Sequence, residues 1–212
     1  ALPLRGWWGS NIYRSSRALS ARSAWNGLPL WTYNYTGKAY QFLDSNVNTY
    51  QKGYWMVAYS NRVFTLQDDQ VVALDAANGQ MAQTYCQVAS TNITFGKLLC
   101  QDNSLIVANP TSVRAFDITT GQMSWTMAAS GCKEVIGGGG RVFIREGEKV
   151  RSVDLATGTQ QWSVDASLWS NGDINNRVGL ICKQDRLLVV TSVGSTSIVH
   201  SVSVQNPSNV WH

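Results

Sequence analysis

The chain has 212 residues, of which 44% are hydrophobic, enough to bury a sizeable core in one domain or one closed array. Charge is sparse, with 17 basic and 13 acidic residues and a net charge of +4. No apolar run approaches the roughly 20 residues of a membrane helix, so no helical membrane span is expected, and nothing in the composition points to nucleic acid.

Taken in order, the chain reads as short strands parted by turns. Residues 1–35 give Leu2–Gly9, Ile12–Ser15, Ala18–Ser23 and Leu28–Tyr33, and Thr36–Lys52 is polar and turn-rich. Tyr54–Tyr59, Arg62–Leu66, Val71–Asp75 and Gln80–Tyr85 follow, separated by turn residues at Ser60-Asn61, Asp68-Asp69 and Asn78-Gly79. The same order returns in Lys97–Gln101, Leu105–Ala108, Val113–Asp117 and Gln122–Thr126. Next come Cys132–Ile136, the run Gly137–Gly140, then Arg141–Arg145, Lys149–Asp154 and Gln160–Val164. After a loop at Asp165–Asn176, the last group is Val178–Lys183, Arg186–Thr191, Ser197–Val204 and a short run ending at Trp211. No stretch long enough for a helix shows helical periodicity, so the chain reads as all-β.

One unit repeats through this order. Ala115–Trp125, AFDITTGQMSW, is a strand end, a polar turn and a second strand carrying a Trp. Ser152–Trp162, SVDLATGTQQW, keeps the Asp, the Thr-Gly pair and the Trp at the same spacing. Ala73–Gln83, ALDAANGQMAQ, keeps Asp75 and Gly79 but has Asn78 for Thr and Gln83 for Trp. Ala21–Trp31, ARSAWNGLPLW, keeps Gly27 and Trp31 with Ser23 for Asp, and Ser201–Trp211 keeps the spacing and the Trp, with Pro207 for Gly. Gly27, Gly79, Gly121, Gly158 and Pro207 lie 52, 42, 37 and 49 residues apart. Four antiparallel strands recurring at such a period mark propeller blades, units that bury their faces only against neighbours.

The pattern Asp-x-x-Thr-Gly-x-x-x-Trp resembles the tryptophan-docking motif of the pyrroloquinoline quinone (PQQ) type, or quinoprotein dehydrogenase-like, β-propeller repeat family. The resemblance covers essentially the whole chain and is strongest over residues 54–165. It implies that the Trp of each outermost strand packs between adjacent blades while the turn residues bond to the neighbouring blade. By match to the motif, Trp125 and Trp162 dock, with Asp117, Thr120, Gly121, Asp154, Thr157 and Gly158 in the turns. Trp31, Asp75 and Trp211 fill the corresponding places in the weaker copies, and Gln83 departs from the pattern. The expected architecture is a single β-propeller domain over residues 1–212, with blades near 1–35, 50–90, 93–130, 131–165 and 177–212. Either the five units close as a small ring, or they belong to a larger propeller completed by further sequence or another chain.

Charge is unevenly placed. Arg5, Arg14, Arg17, Arg22 and Lys38 precede the first acid, Asp44, so residues 1–43 carry +5 and the remainder −1. Such an end suits an acidic partner, phosphate or an anionic surface, or is simply solvated on outer strands. The four cysteines, Cys86, Cys100, Cys132 and Cys182, show neither CxxC nor a His cluster, which argues against zinc. An even count fits two disulfides. Cys86 with Cys100 would staple a blade junction, and Cys132 with Cys182 would join first strands of adjacent blades. Acceptor sequons at Asn34-Tyr35-Thr36 and Asn92-Ile93-Thr94 fall just after predicted strands. With low Lys and Glu content, and an initial Ala as after signal removal, they suggest an exported or secretory-pathway glycoprotein.

Chemistry is harder to find. The resemblance implies that a PQQ-dependent dehydrogenase would carry a planar floor for the quinone, a calcium ion and an Asp base, often beneath a disulfide between adjacent cysteines; this sequence has no adjacent pair. Asp68-Asp69 and Asn171–Asn176 offer oxygen ligands for calcium but have the composition of hairpin loops. Trp7 and Trp8 read as packing residues of the first blade, and His200 and His212 are isolated, so no triad is suggested. Gly137–Gly140 opens a strand, whereas phosphate-cradling loops open a helix; a tight hairpin or a close blade approach accounts for it better. The expected function is therefore a non-catalytic platform for protein binding or assembly, with a protein partner or a second copy and no cofactor. The alternatives are a lectin or small-ligand propeller that takes a glycan, and a PQQ-dependent dehydrogenase holding PQQ and calcium.

Overall fold

A computed structural model describes residues 18–34, 56–67, 70–87, 97–165, 179–193, 196–208 and 210–211. The chain divides into two compact units, Ala1–Thr94 and Phe95–His212. Every regular element among the described residues is a β-strand.

In the first unit, β1 (Ala18–Arg22) and β2 (Pro29–Asn34) form an antiparallel two-stranded sheet. A four-stranded sheet follows, β3 (Met56–Tyr59), β4 (Arg62–Gln67), β5 (Gln70–Asp75) and β6 (Met81–Gln87). The expected strands Leu2–Gly9 and Ile12–Ser15 lie outside the described residues. The second unit holds three more four-stranded sheets. The first is β7 (Lys97–Gln101), β8 (Ser104–Ala108), β9 (Ser112–Asp117) and β10 (Met123–Ala128). The second is β11 (Cys132–Gly138), β12 (Arg141–Glu146), β13 (Lys149–Asp154) and β14 (Gln160–Asp165). The third is β15 (Gly179–Lys183), β16 (Arg186–Val193), β17 (Thr196–Ser203) and β18 (Val210–Trp211). Each strand pairs antiparallel with its neighbour in sequence, so every sheet is a meander built from local hairpins.

Position within the meander decides what each strand buries. The middle strands are buried on both faces: β4, RVFTLQ, and β8, SLIVA, each bury four successive positions, with Thr65 the one polar residue among them. The outermost strands β2 and β10 bury one position each, Trp31 and Trp125, and leave the rest half-buried or open. In the second unit Ile106, Val113 and Trp125 close with Val142, Ile144 and Val153 into one core between the first and second sheets. Phe143 and Val150 close with Leu187, Val189 and Val202 into another, between the second and third. Burying each such side chain contributes roughly 1.5–3 kcal/mol.

The glycine run is explained by two separate demands. Gly139 and Gly140 have φ of 59° and 70°, matching Asp102 and Asn103 at 45° and 62° in the corresponding turn before β8. Positive φ at both central residues is the tight hairpin turn whose twist suits flanking strands. Gly137 and Gly138 instead belong to β11, which runs beside β7 and β15. A Cβ on Gly137 would lie 2.1 Å from Gln101 Oε1, and one on Gly138 would lie 2.4 Å from Cys182 Sγ. Close approach of neighbouring first strands leaves no room for a side chain there.

Candidate functional site

The repeated turn is built by its own carboxylate. Asp117 Oδ1 accepts the Thr120 backbone N–H at 2.7 Å and the Thr120 hydroxyl at 3.0 Å, while Gly121 N donates to Asp117 O at 2.8 Å. Asp154 repeats this with Thr157 N and Thr157 Oγ1, both at 2.9 Å, and Gly158 N closes the turn on Asp154 O at 2.9 Å. Asp75 Oδ1 accepts from Ala77 N at 2.8 Å and Asn78 N at 3.2 Å. Ser23 supplies a hydroxyl in the first copy, accepting from Trp25 N at 3.3 Å and Asn26 N at 3.4 Å. The Thr120 N–H holds the Asp117 carboxyl below the usual carboxylate range, and the Thr157 N–H does the same for Asp154.

Three of the turns also receive a ring from the preceding copy. Trp31 Nε1 donates to Ala76 O, Trp125 Nε1 to Leu155 O and Trp162 Nε1 to Val204 O, all at 2.8 Å. The accepting residue follows the Asp or Ser of its turn. Its own N–H is also bound, from Ala76 to Asn61 O at 2.9 Å, from Leu155 to Gly140 O at 3.0 Å and from Val204 to Asp185 O at 2.9 Å. The ring then lies on the turn glycine: a Cβ on Gly158 would sit 2.7 Å from Trp125 Cδ2, and one on Gly79 would sit 2.6 Å from Trp31 Cδ2. These glycines have φ of 73°, a conformation L side chains resist. Conformation and contact both require glycine there.

Gln83 holds the Trp place in its copy and does something different. Arg62 Nη1 donates to Gln83 Oε1 at 3.0 Å and to Tyr85 OH at 2.8 Å, within its own sheet. Trp211 lies in β18, but its side chain falls outside those described, as does Asn92 altogether. Asn34 ends β2 and is exposed. Trp7, Trp8, Asp68-Asp69 and Asn171–Asn176 also lie outside the described residues. His200 is buried, with Nε2 2.9 Å from Thr191 Oγ1. Among the described residues no cluster of His, Cys, Asp and Glu is arranged to hold a metal ion.

The cysteine pairing needs correction. Cys100, Cys132 and Cys182 are free thiols, so neither Cys86–Cys100 nor Cys132–Cys182 is formed; the Cys86 side chain is not among those described. Cys132 and Cys182 do sit on adjacent first strands, but at different heights. Cys132 begins β11, whereas Cys182 packs on Gly138 at its other end, about 20 Å away at strand rise. A disulfide needs Cα atoms within roughly 7 Å. Burial pushes the Cys100 thiol up to about 12 and the Cys132 thiol to about 11, which leaves both protonated and inert.

Two supports were missed in the sequence. Asn61 Nδ2 donates to Asp75 Oδ2 at 3.4 Å and Asn103 Nδ2 to Asp117 Oδ2 at 2.9 Å, the same spacing of 14 residues in both copies. Aligning the copies upstream of the turn would have exposed that pair. Glu146 pairs with Arg151 at 3.2 Å and accepts Ser130 N at 3.0 Å, while Arg151 donates to Ala128 O at 2.9 Å, bracing β12 and β13 against the end of β10 and the residues just after it.

A PQQ-type family described as outer membrane protein assembly factor BamB matches residues 12–163 and 87–212. The chain belongs to this family. No curated protein matches it. Among solved structures it is similar to BamB from Moraxella catarrhalis, with a TM-score of 0.62 and 19% identity over 93% of this chain and 58% of that one. It is also similar to the quinohemoprotein alcohol dehydrogenase ADHIIG from Pseudomonas putida HK5, with a TM-score of 0.51 and 15% identity over 74% of this chain and 33% of that one. The chain thus spans less than two thirds of either. This BamB-family chain has the fold of a β-propeller with four-stranded antiparallel blades. An assembly factor and a dehydrogenase share that fold, so function must be argued from the residues.

Proposed function

We propose that this chain is a non-catalytic propeller segment that serves as a platform for protein assembly in an exported compartment. Its membership of a family described as an outer membrane protein assembly factor carries the reading. The repeat chemistry supports it, because the most consistently placed polar and aromatic side chains are spent on shaping turns and fastening blades. In this reading Trp31, Trp125, Trp162 and Trp211 fasten blade to blade. Asp75, Asp117, Asp154, Thr120, Thr157, Gly121 and Gly158 hold the turns that receive them. The partner is another protein or a second copy, and Asn34 and Asn92 are glycan acceptors where the machinery exists.

Native mass of the protein purified from its own source, with intact mass spectrometry on the same sample, tests this. The expected result is a stable complex heavier than the 23.3 kDa chain, containing a second protein or a second copy. A lone chain near that mass that takes up PQQ and oxidises an alcohol would sink the proposal.

A further inference from the structure

The first copy builds the ring-receiving turn and leaves it empty. Ser23 N donates to Leu28 O and Gly27 N to Ser23 O, both at 2.9 Å, the same two bonds that join Asp154 N to Thr159 O at 2.8 Å and Gly158 N to Asp154 O at 2.9 Å. Gly27 has φ of 71°, against 73° at both Gly79 and Gly158. The backbone is therefore preset for an indole. In three copies one arrives, where Trp31, Trp125 and Trp162 donate to Ala76 O, Leu155 O and Val204 O. The corresponding acceptor here is Ala24 O, which no donor reaches among the described residues. A Cβ on Gly27 would meet nothing within 4 Å, whereas one on Gly79 or Gly158 strikes a ring. The same tip also carries a ring without a seat. Trp25 is 96% exposed and stands two residues beyond Ser23, a place held in the other copies by Ala77, Thr119, Ala156 and Gln205.

We propose that the Ser23–Gly27 turn is a docking site for a second copy of this chain: Trp25 lies across Gly27 of the partner subunit and gives its indole N–H to the partner's Ala24, and the reverse contact forms about the same two-fold axis. Such an isologous contact uses one patch twice. The proposal rests on the assembly reading above and names a second copy as the partner. Arg22 Nη1 donates to Gly27 O at 3.0 Å, which sets a guanidinium beside the glycine that the incoming ring covers, where a cation is attracted to an indole face. A second copy is singled out because it satisfies both halves of the tip at once. A foreign tryptophan would fill the turn and leave Trp25 in water, and a lipid surface would take Trp25 and leave Ala24 O without a donor. The contact is small, so the dimer is weak and depends on concentration.

The test is sedimentation velocity of the full chain over a concentration series, where a reversible monomer–dimer equilibrium is expected. Trp25→Ser removes the ring and Gly27→Ala fills its seat, and each should weaken dimerisation about tenfold or more. Gly27→Ala strains the turn, so Trp25→Ser, which changes an exposed side chain, decides if the other folds poorly. An equimolar mixture of the two variants should dimerise better than either alone, because the Gly27→Ala chain still offers Trp25 and the Trp25→Ser chain still offers an open turn. A merely structural role for either residue predicts no such recovery. A chain that stays monomeric throughout, a dimer that Trp25→Ser leaves intact, or a mixture of folded variants no better than its components would overturn the proposal. So would a dimer lost on Trp211→Ser instead, which would give the empty turn to the ring of the last strand. The assay holds no other protein, so its failure leaves assembly with a foreign partner standing.

Discussion

Trp125 and Gln83 hold the same place in successive copies, four residues past the turn glycine, and their surroundings are opposite. Trp125 is 8% exposed, gives its only polar hydrogen to Leu155 O and lies across Gly158 of the following sheet. Gln83 is half-buried and bonds Arg62 of its own sheet, beside Tyr85, whose ring meets Phe64 edge-on at 5.5 Å. Both β6 and β10 form, each pairing along its third strand. The Trp is therefore not what makes an outermost strand. It converts that strand from the end of one sheet into a fastening on the next.

Replacing the fastening should have the largest effect. Trp125→Ala empties a buried aromatic site and leaves Leu155 O without its donor, and a loss of about 3–5 kcal/mol is expected in denaturant unfolding. Trp125→Phe keeps most of the ring and should lose about 1 kcal/mol, the net worth of one hydrogen bond. An unchanged unfolding midpoint in Trp125→Ala would show that the ring fastens nothing.

The glycine under the ring gives a second contrast. Gly27 and Gly158 have φ of 71° and 73°, but a Cβ on Gly27 meets nothing within 4 Å whereas one on Gly158 strikes the Trp125 ring. Gly27→Ala should cost only the left-handed conformation, about 1–2 kcal/mol. Gly158→Ala adds displacement of a packed ring and should lose distinctly more. Equal losses would mean that the ring can slide away freely.

Acid should separate the same copies. The Asp117 and Asp154 carboxyls are held low by turn N–H groups, so their contribution is complete above the ordinary carboxylate value of about 3.9. It is lost as pH falls through the lowered values of the folded protein. The thermal midpoint should drop over that range, and Asp117→Asn with Asp154→Asn should flatten the drop because an amide oxygen can still accept. The first copy, with Ser23 in this place, should stay as it is. A midpoint drop of the same size in the double variant would remove the turns as its source.

What could be read from the sequence follows from how local the physics is. Lys97–Gln101 and Lys149–Asp154 have the ends expected of them, because tight turns and the motif Asp bound them in sequence. β10 starts at Met123 rather than Gln122 because Gln122 O is used to close the turn on Asp117 N. The two expected disulfides were read from strand membership alone. Spacing assigned Cys132 and Cys182 to neighbouring first strands, but height along a strand depends on how sheets stack. The Arg151–Glu146 pair is not legible in the sequence for the same reason, since nothing local marks a guanidinium that reaches the end of β10.

The smallest effect is expected where the pattern is broken. Gln83→Ala removes an acceptor that Arg62 shares with the Tyr85 hydroxyl, leaves Arg62 on Tyr85 OH at 2.8 Å, and takes no ring away from another sheet. The loss should stay within about 1 kcal/mol, the scale of a single part-buried hydrogen bond. Tyr85→Phe combined with Gln83→Ala removes the Gln83 Oε1 and Tyr85 OH acceptors that share Arg62 Nη1, so the two changes should couple rather than add. If Gln83→Ala destabilised the protein as much as Trp125→Ala, Gln83 would be a fastening of equal weight, and the distinction between a strand end and a blade junction would fail at the place where the sequence draws it.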